Sequence, residues 1–251
     1  MRYFLEIAYK GTNYQGWQKQ PEGRPTIQGT IEENLSTILN TPTDIVGCGR
    51  TDTGVHALDY YLHVDIDGAL PKNFLYRLNK LLPKDITVFR VIPVALDAHA
   101  RYDATHRAYE YRVLAHKDPF QIDTAYHFPF FHQADQEKIQ AAAQLLLEYQ
   151  EFAPFCKSNH DANTMICQLK EAYWVFEDES WTFHIASNRF LRGMIRLIVG
   201  MCLNVGLGKI TLEEVKVALD QQAPLKKSLS VDAAGLYLKD IRYPFIQKTD
   251  S

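Results

Sequence analysis

Asp52 stands two residues after Arg50 in Gly49-Arg50-Thr51-Asp52-Thr53-Gly54-Val55-His56-Ala57, a lone carboxylate beside a guanidinium in a turn bounded by glycines. Glycine permits backbone angles and close approaches that a side chain forbids, and threonine hydroxyls bond locally, so the segment presents Asp52 on a turn. Taken alone, it reads first as an ordinary solvated turn, with a reactive loop as the alternative. A second group is Arg189, Arg192 and Arg196, spaced by three and four, with Leu191, Met194, Ile195 and Ile198 on another side. A helix over about Asn188 to Val205 would align these arginines in a stripe fit for phosphates or a carboxylate, or else for a solvated face. A third stretch, Ala100 to Arg112, interleaves Arg101, Arg107 and Arg112 with Tyr102, Tyr109 and Tyr111. Cations address phosphates, and an aromatic face stacks on an unpaired base for about 1–3 kcal/mol. Tyr109 and Tyr111 share a face of a strand, where a core role competes with a base-binding one.

Other chemistries are poorly supplied. Nine histidines show no HExxH spacing and the cysteines no paired CxxC, and Cys156, His160 and Cys167 lack an evident fourth ligand, so no metal is expected. No GxSxG nucleophile elbow and no P-loop appear. Tyr14-Gln15-Gly16-Trp17-Gln18 forms an aromatic and amide cluster around a glycine, open to either a structural or a functional reading.

The elements that must position these residues follow from periodicity. Tyr3, Leu5, Ile7 and Tyr9 alternate with Phe4, Glu6, Ala8 and Lys10, predicting a strand with unlike faces. Thr26 is a candidate N-cap for a helix carrying Ile27, Ile31, Leu35, Ile38 and Leu39. Next come a strand near Asp44 to Cys48, the Asp52 turn, and a strand with Tyr60, Leu62, Val64 and Ile66 on one face. Pro71 opens a helix with Phe74, Leu75, Leu78, Leu81 and Leu82 as its apolar stripe, and Ile86 to Ile92 is a strand. The second half repeats this grammar: strand near Tyr109 to Ala115, helix near Asp135 to Glu148, strands near Ile166 to Phe176 and Trp181 to Ala186, the arginine helix, a short helix from Thr211, and a last strand at Gly235 to Leu238. The expected class is α+β, two pseudo-symmetric halves with mainly antiparallel sheets flanked by helices, divided as 1–100 and 101–251.

With 251 residues, 46% hydrophobic and 23% charged, the chain is ordinary globular material. A formal net charge of −3 argues against a general nucleic-acid coater, yet acidic residues concentrate at Asp135 to Glu151, Glu177 to Glu179 and Glu213 to Asp220, leaving cationic excess elsewhere. Four scattered cysteines, no leader-like N-terminus and no apolar run of spanning length lead to the expectation of a cytoplasmic protein without a membrane partner.

In order along nearly the whole chain, these motifs resemble the bacterial tRNA pseudouridine synthase A family. Tyr14 to Gln18 resembles its YxGWQ, Gly49 to His56 its GRTDAGVH, Ala98 to Thr105 its FHARFSAT, Tyr109-Glu110-Tyr111 its paired-tyrosine strand, Phe190 to Gly200 its FLRNMVRNIVG, and Gly235 to Leu238 its GLYL. The resemblance implies a pseudouridine synthase fold with a central cleft. It also implies isomerisation of uridine to pseudouridine at positions 38, 39 and 40 of the tRNA anticodon stem-loop, with no cofactor. It assigns Asp52 as catalytic carboxylate, either nucleophile or base of a glycal route, and Arg196 as the partner that keeps it ionised. Tyr109 would stack on the flipped uracil and help remove the carbon 5 proton, and Arg50 would fill the gap left in the RNA stack. Arg107, Arg189 and Arg192 fall to substrate binding. The family implies a homodimer holding the anticodon arm. A glycosidase needs a second carboxylate, and hydrolysis would leave an abasic site, so one aspartate in a dry pocket suits an isomerase. A non-catalytic tRNA-binding dimer or RNA chaperone is the alternative. Thr53 in place of the usual Ala, Gly193 in place of Asn, and Asp59-Tyr60-Tyr61 in place of a small or amide-bearing run depart from the pattern.

Overall fold

The computed structural model describes residues 1–21, 23–157 and 163–247. Along the chain run strands β1 (Arg2–Tyr9), β2 (Ile45–Gly47), β3 (His56–Asp65), β4 (Ile86–Val94), β5 (His106–Leu114), β6 (Tyr126–His127), β7 (Leu169–Phe176), β8 (Ser180–Ser187) and β9 (Leu236–Arg242). Helix α1 is Ile27–Leu39, α2 Phe74–Leu81, α3 Gln136–Leu145, α4 Met194–Gly206 and α5 Leu212–Asp220. The fold is mixed α+β. The chain divides into two compact units, Met1–Thr105 with Tyr237–Ser251, and His106–Leu236.

In the first unit β1 lies between β3 and β4, antiparallel to both, with Leu5 opposite Leu62 and Val91. β2 pairs antiparallel with β3, and β9 joins β3 in parallel through His56↔Tyr237 and Ala57↔Leu238. The expected face of Tyr60, Leu62, Val64 and Ile66 is buried, and so are Tyr61 and His63 on the other face of β3. The second face is closed by the chain's own C-terminal segment. Tyr243 meets Phe4 and Tyr61 edge-on at 5.2 and 5.3 Å, and Phe245 meets Phe4 at 5.7 Å. Helix α1 starts at Thr26, whose hydroxyl accepts from Gly29 N at 3.2 Å, and buries Ile27, Ile31, Leu35 and Ile38. α2 begins after Asn73, whose left-handed φ of 57° suits an asparagine, three residues later than Pro71 suggests.

The second unit orders its strands β5-β8-β7, all antiparallel, with β6 parallel to β5. One face carries Tyr111, Phe183 and Trp174 in register, and α3 and α4 pack together. Asp135 caps α3 and Thr211 forms a capping box with Glu214 on α5. The clearest correction concerns the arginine helix. α4 starts at Met194, and Gly193 before it takes φ 70°, so Asn188 to Arg192 lie outside the helix. Periodicity over 188–192 mimicked a helix, but a left-handed residue breaks the path, and the three arginines form no common helical stripe.

Candidate active site

The Asp52 loop joins β2 to β3 and is held from beneath by aromatic side chains. Trp17 stacks on Tyr60 with ring centroids 4.2 Å apart, and Tyr9 meets Tyr60 edge-on at 5.5 Å. From this pedestal the Tyr60 hydroxyl donates to Gly49 O at 2.5 Å, the Tyr9 hydroxyl pairs with Thr51 Oγ1 at 2.9 Å, and Trp17 N–H donates to Thr51 O at 3.1 Å. Burial raises the Tyr60 phenol well above its ordinary range, so it stays a neutral donor. Val55 N then donates to Asp52 O at 3.2 Å, closing a turn in which Gly54 takes φ 80°. Asp52 is half-buried, while Arg50 and Thr53 are exposed.

Gly16 explains how the pedestal comes so close. Its φ is 83°, and a Cβ there would stand 2.5 Å from Thr51 O. The same Gly16-Trp17 stretch caps α1 from the other side. Gly16 O and Trp17 O accept from Ile27 N and Gln28 N, two donors that a helix start leaves without internal partners. The aromatic and amide cluster therefore ties helix, pedestal and loop into one unit. His56, at the end of the loop, accepts Gly11 N at Nδ1 at 3.0 Å, and a Cβ on Gly11 would collide with Val55 O.

In the second unit Tyr109 sits on β5 opposite Ile185, half-buried, with Phe190 edge-on at 5.2 Å. Tyr111, two residues on, is fully buried and donates to Asp232 O at 2.7 Å. The shared strand face thus serves both roles raised for it, core at Tyr111 and partial exposure at Tyr109. Arg107 precedes Tyr109 on that face and donates to Asn188 O at 2.8 Å.

Arg196 lies in the first turn of α4 and donates from Nε to Val231 O at 2.6 Å, while Val231 N returns a bond to Arg196 O at 3.3 Å. A strap from Leu229 to Gly235 makes this possible. A Cβ on Gly200 would strike Leu229 O, so the glycine lets the strap cross α4, and the strap then takes the Tyr111 hydroxyl at Asp232. Arg189 reaches Thr164 O at 3.3 Å from a non-helical segment, and Arg192 is exposed with its carbonyl accepting Lys157 N at 3.0 Å. Of the site residues expected from sequence, the structure joins Arg50 and Asp52 in one loop, and Arg107, Tyr109 and Arg196 in one unit. It separates Arg189 and Arg192 from the helix that carries Arg196. Of the three metal-site candidates, Cys156 and Cys167 have thiol pKa values raised by burial, and His160 lies outside the described residues. Among the described residues no cluster of three or more His, Cys, Asp or Glu is placed to hold a metal ion.

The family profile described as tRNA pseudouridine synthase matches residues 7–103 and 142–244. The tRNA pseudouridine synthase A of Parabacteroides distasonis is 41% identical over 245 residues, 97% of this chain and 96% of that protein. That of Bacteroides thetaiotaomicron is 42% identical over 247 residues, 97% and 91% of the two chains. The chain belongs to the tRNA pseudouridine synthase family. Among solved structures, an H/ACA ribonucleoprotein bound to a substrate RNA containing 2'-deoxyuridine aligns over 80% of this chain and 53% of that one at 11% identity and TM-score 0.31, too distant to carry argument.

As an enzyme of this family the chain shows its departures to be physically mild. Thr53 is exposed, Gly193 occupies a left-handed position that asparagine also tolerates, and Tyr60 supplies the phenol that holds Gly49. Asp59 is buried and accepts Ile241 N at 3.0 Å, and Tyr61 takes a bond from Arg90. Sequence reasoning missed the pedestal role of Tyr9 and Tyr60 and the strap carbonyl of Val231. Tyr9 and Tyr60 read as ordinary strand residues, and a backbone carbonyl leaves no mark in a sequence.

Proposed function

We propose that this enzyme converts uridine to pseudouridine at positions 38, 39 and 40 of the anticodon stem-loop of tRNA, with Asp52 as its single catalytic carboxylate and without a cofactor. The observation that carries the reading is the Asp52 loop itself: a half-buried carboxylate in a loop fixed at Gly49 O by Tyr60, at the Thr51 hydroxyl by Tyr9 and at Thr51 O by the Trp17 backbone N–H. Such fixation places a reacting group within the narrow geometry that catalysis demands. The bond from carbon 1′ to N1 breaks, the uracil turns, carbon 5 bonds to carbon 1′, and the carbon 5 proton leaves while N1 gains one. Asp52 either attacks the uridine or removes the proton that opens a glycal, and both roles need it ionised. Arg196 keeps it so, and the Val231 bond at Nε sets the plane of that guanidinium. Tyr109 stacks on the flipped base, supported by Phe190, and assists loss of the carbon 5 proton. Arg50 fills the vacated stack, and Arg107, Arg189 and Arg192 contact phosphates.

The reading includes a cytoplasmic homodimer that holds the anticodon arm, with the two pseudo-symmetric halves and central cleft of the family's fold. The test is incubation of the protein with unmodified tRNA, followed by mapping of pseudouridine, with Asp52→Asn as control. The expected result is pseudouridine at the three positions and none with the variant. No product from the intact protein, or equal product from Asp52→Asn, would overturn the mechanism.

A further inference from the structure

From Gly68 to Lys84 the chain carries Lys72, Arg77, Lys80 and Lys84 without one carboxylate, in a protein of formal net charge −3. All four side chains are exposed. Among the described residues none of them enters an ion pair or a side-chain hydrogen bond, and Lys80 Nζ stands over the Tyr76 ring at 5.8 Å. The carboxylate that follows is already engaged, since Asp85 accepts from the Tyr14 hydroxyl at 2.7 Å and from Asn13 at 3.2 Å.

The helix beneath these cations is firmly seated. Phe74 and Leu78, one turn apart, are its buried residues. Asn79 locks it to β4 with a pair of bonds, donating to Val88 O and accepting Val88 N, both at 2.8 Å. At 100° per residue Tyr76 and Lys80 fall opposite Phe74 and Leu78, with Arg77 on their flank. Tyr76 is 64% exposed, an aromatic ring left in water beside cations.

A fixed, outward-facing group of cations that finds no anion among the described residues complements a polyanion. An exposed aromatic among them favours RNA over an acidic protein, because ribose and bases offer faces to stack on. We propose that α2 and its flanks form a second tRNA-binding surface, gripping the phosphate backbone away from the reacting uridine and contributing affinity instead of chemistry. The inference rests on the proposed activity toward tRNA and adds residues to which that reading gives no role.

The test compares the intact protein with a variant carrying Lys72→Gln, Arg77→Gln, Lys80→Gln and Lys84→Gln. A charge-matched control carries Gln at Lys117, Lys138, Lys170 and Lys216, exposed positions in the other unit. Binding of full-length tRNA is measured against salt, and turnover at limiting and saturating tRNA. Every phosphate that a cation no longer neutralises lowers the slope of log K against log salt by about 0.7–0.9. The α2 variant is expected to show a slope shallower by about 2–3 and a KM raised roughly ten-fold with kcat unchanged, while the control stays within about 1 of the parent slope. An unchanged slope and KM in the α2 variant, or equal changes in the control, would overturn the proposal. So would a fall in kcat at saturating tRNA, which would put α2 in the chemistry. Failure of the intact protein to form pseudouridine would count against the activity, whereas normal product from an α2 variant of unaltered affinity would count against this surface alone.

Discussion

The loop that carries Asp52 and the turn of α4 that carries Arg196 are held by opposite means. In the loop, side chains do much of the holding: the Tyr60 hydroxyl donates to Gly49 O and the Tyr9 hydroxyl pairs with Thr51 Oγ1, while the Trp17 backbone N–H donates to Thr51 O. At Arg196, backbone grips a side chain, with Val231 O accepting from Nε and the strap admitted by Gly200. The difference decides which substitutions disturb each group. A loop held by phenols depends on particular hydroxyls, whereas an arginine held by a carbonyl is indifferent to the side chain that the carbonyl belongs to.

The largest effects should come from testing that asymmetry directly. Tyr60→Phe removes a buried donor and leaves Gly49 O without its phenol, at a cost of about 1–3 kcal/mol. Because the freed backbone neighbours Asp52, kcat should fall by roughly ten- to a hundred-fold. Val231→Ala removes buried apolar volume and should cost a similar 1–3 kcal/mol, roughly. Its carbonyl stays, so kcat should hold. Urea unfolding and single-turnover kinetics on the two variants separate the cases. Retained kcat in Tyr60→Phe would mean that the loop needs no phenol, and a fall in kcat in Val231→Ala would mean that Arg196 is placed by packing.

The same contrast marks what is legible in the sequence. Thr26 is visible as a cap because capping is local chemistry, Asp135 and Thr211 mark the starts of the helices they cap, and the stripe Ile27, Ile31, Leu35 and Ile38 is visible because burial follows the helical period. The glycine-bounded loop, too, announces itself in nine consecutive residues. Segment 188–193 does not. Its arginines keep a helical spacing up to Arg196, and only Gly193 at φ 70° reveals the break. The burial of β3 on both faces depends on Tyr243 and Phe245, some 180 residues away, and Arg196 depends on a carbonyl 35 residues on. The features hidden from the sequence are those that long-range backbone placement decides.

A smaller effect extends the side-chain-grips-backbone pattern within the first unit. His63 is buried on β3 and accepts Ala100 N at Nδ1 at 3.1 Å, holding the 98–102 turn as Tyr60 holds the Asp52 loop. Burial, with help from Arg2 and His99, pushes the His63 imidazole down to about 4. Above an ordinary histidine value of about 6.5 both folded and unfolded chains leave it neutral, so stability does not respond to it. Below that the unfolded chain takes up the proton first, so stability falls as pH drops from about 6.5 toward 4. His63→Asn, with an oxygen acceptor near Nδ1, should flatten this part of the curve of melting temperature against pH. An unchanged slope in the variant would assign the acid sensitivity to other groups.

The smallest effect probes the break before α4. Gly193 takes φ 70°, and a Cβ there would stand 2.7–2.9 Å from the aliphatic carbons of Lys157. Gly193→Ala and Gly193→Asn set the same Cβ against that flexible side chain, and asparagine, the bulkier of the two, gains only if the backbone conformation decides. A left-handed conformation costs most side chains about 1–2 kcal/mol and asparagine less, because its amide bonds locally. Gly193→Asn, the residue that the resemblance would place here, should therefore melt close to the parent and Gly193→Ala a few degrees below it, with Arg196 and kcat little affected in either. Equal melting temperatures for the two variants would show that Lys157, and not the left-handed turn, sets the demand for glycine at the start of α4.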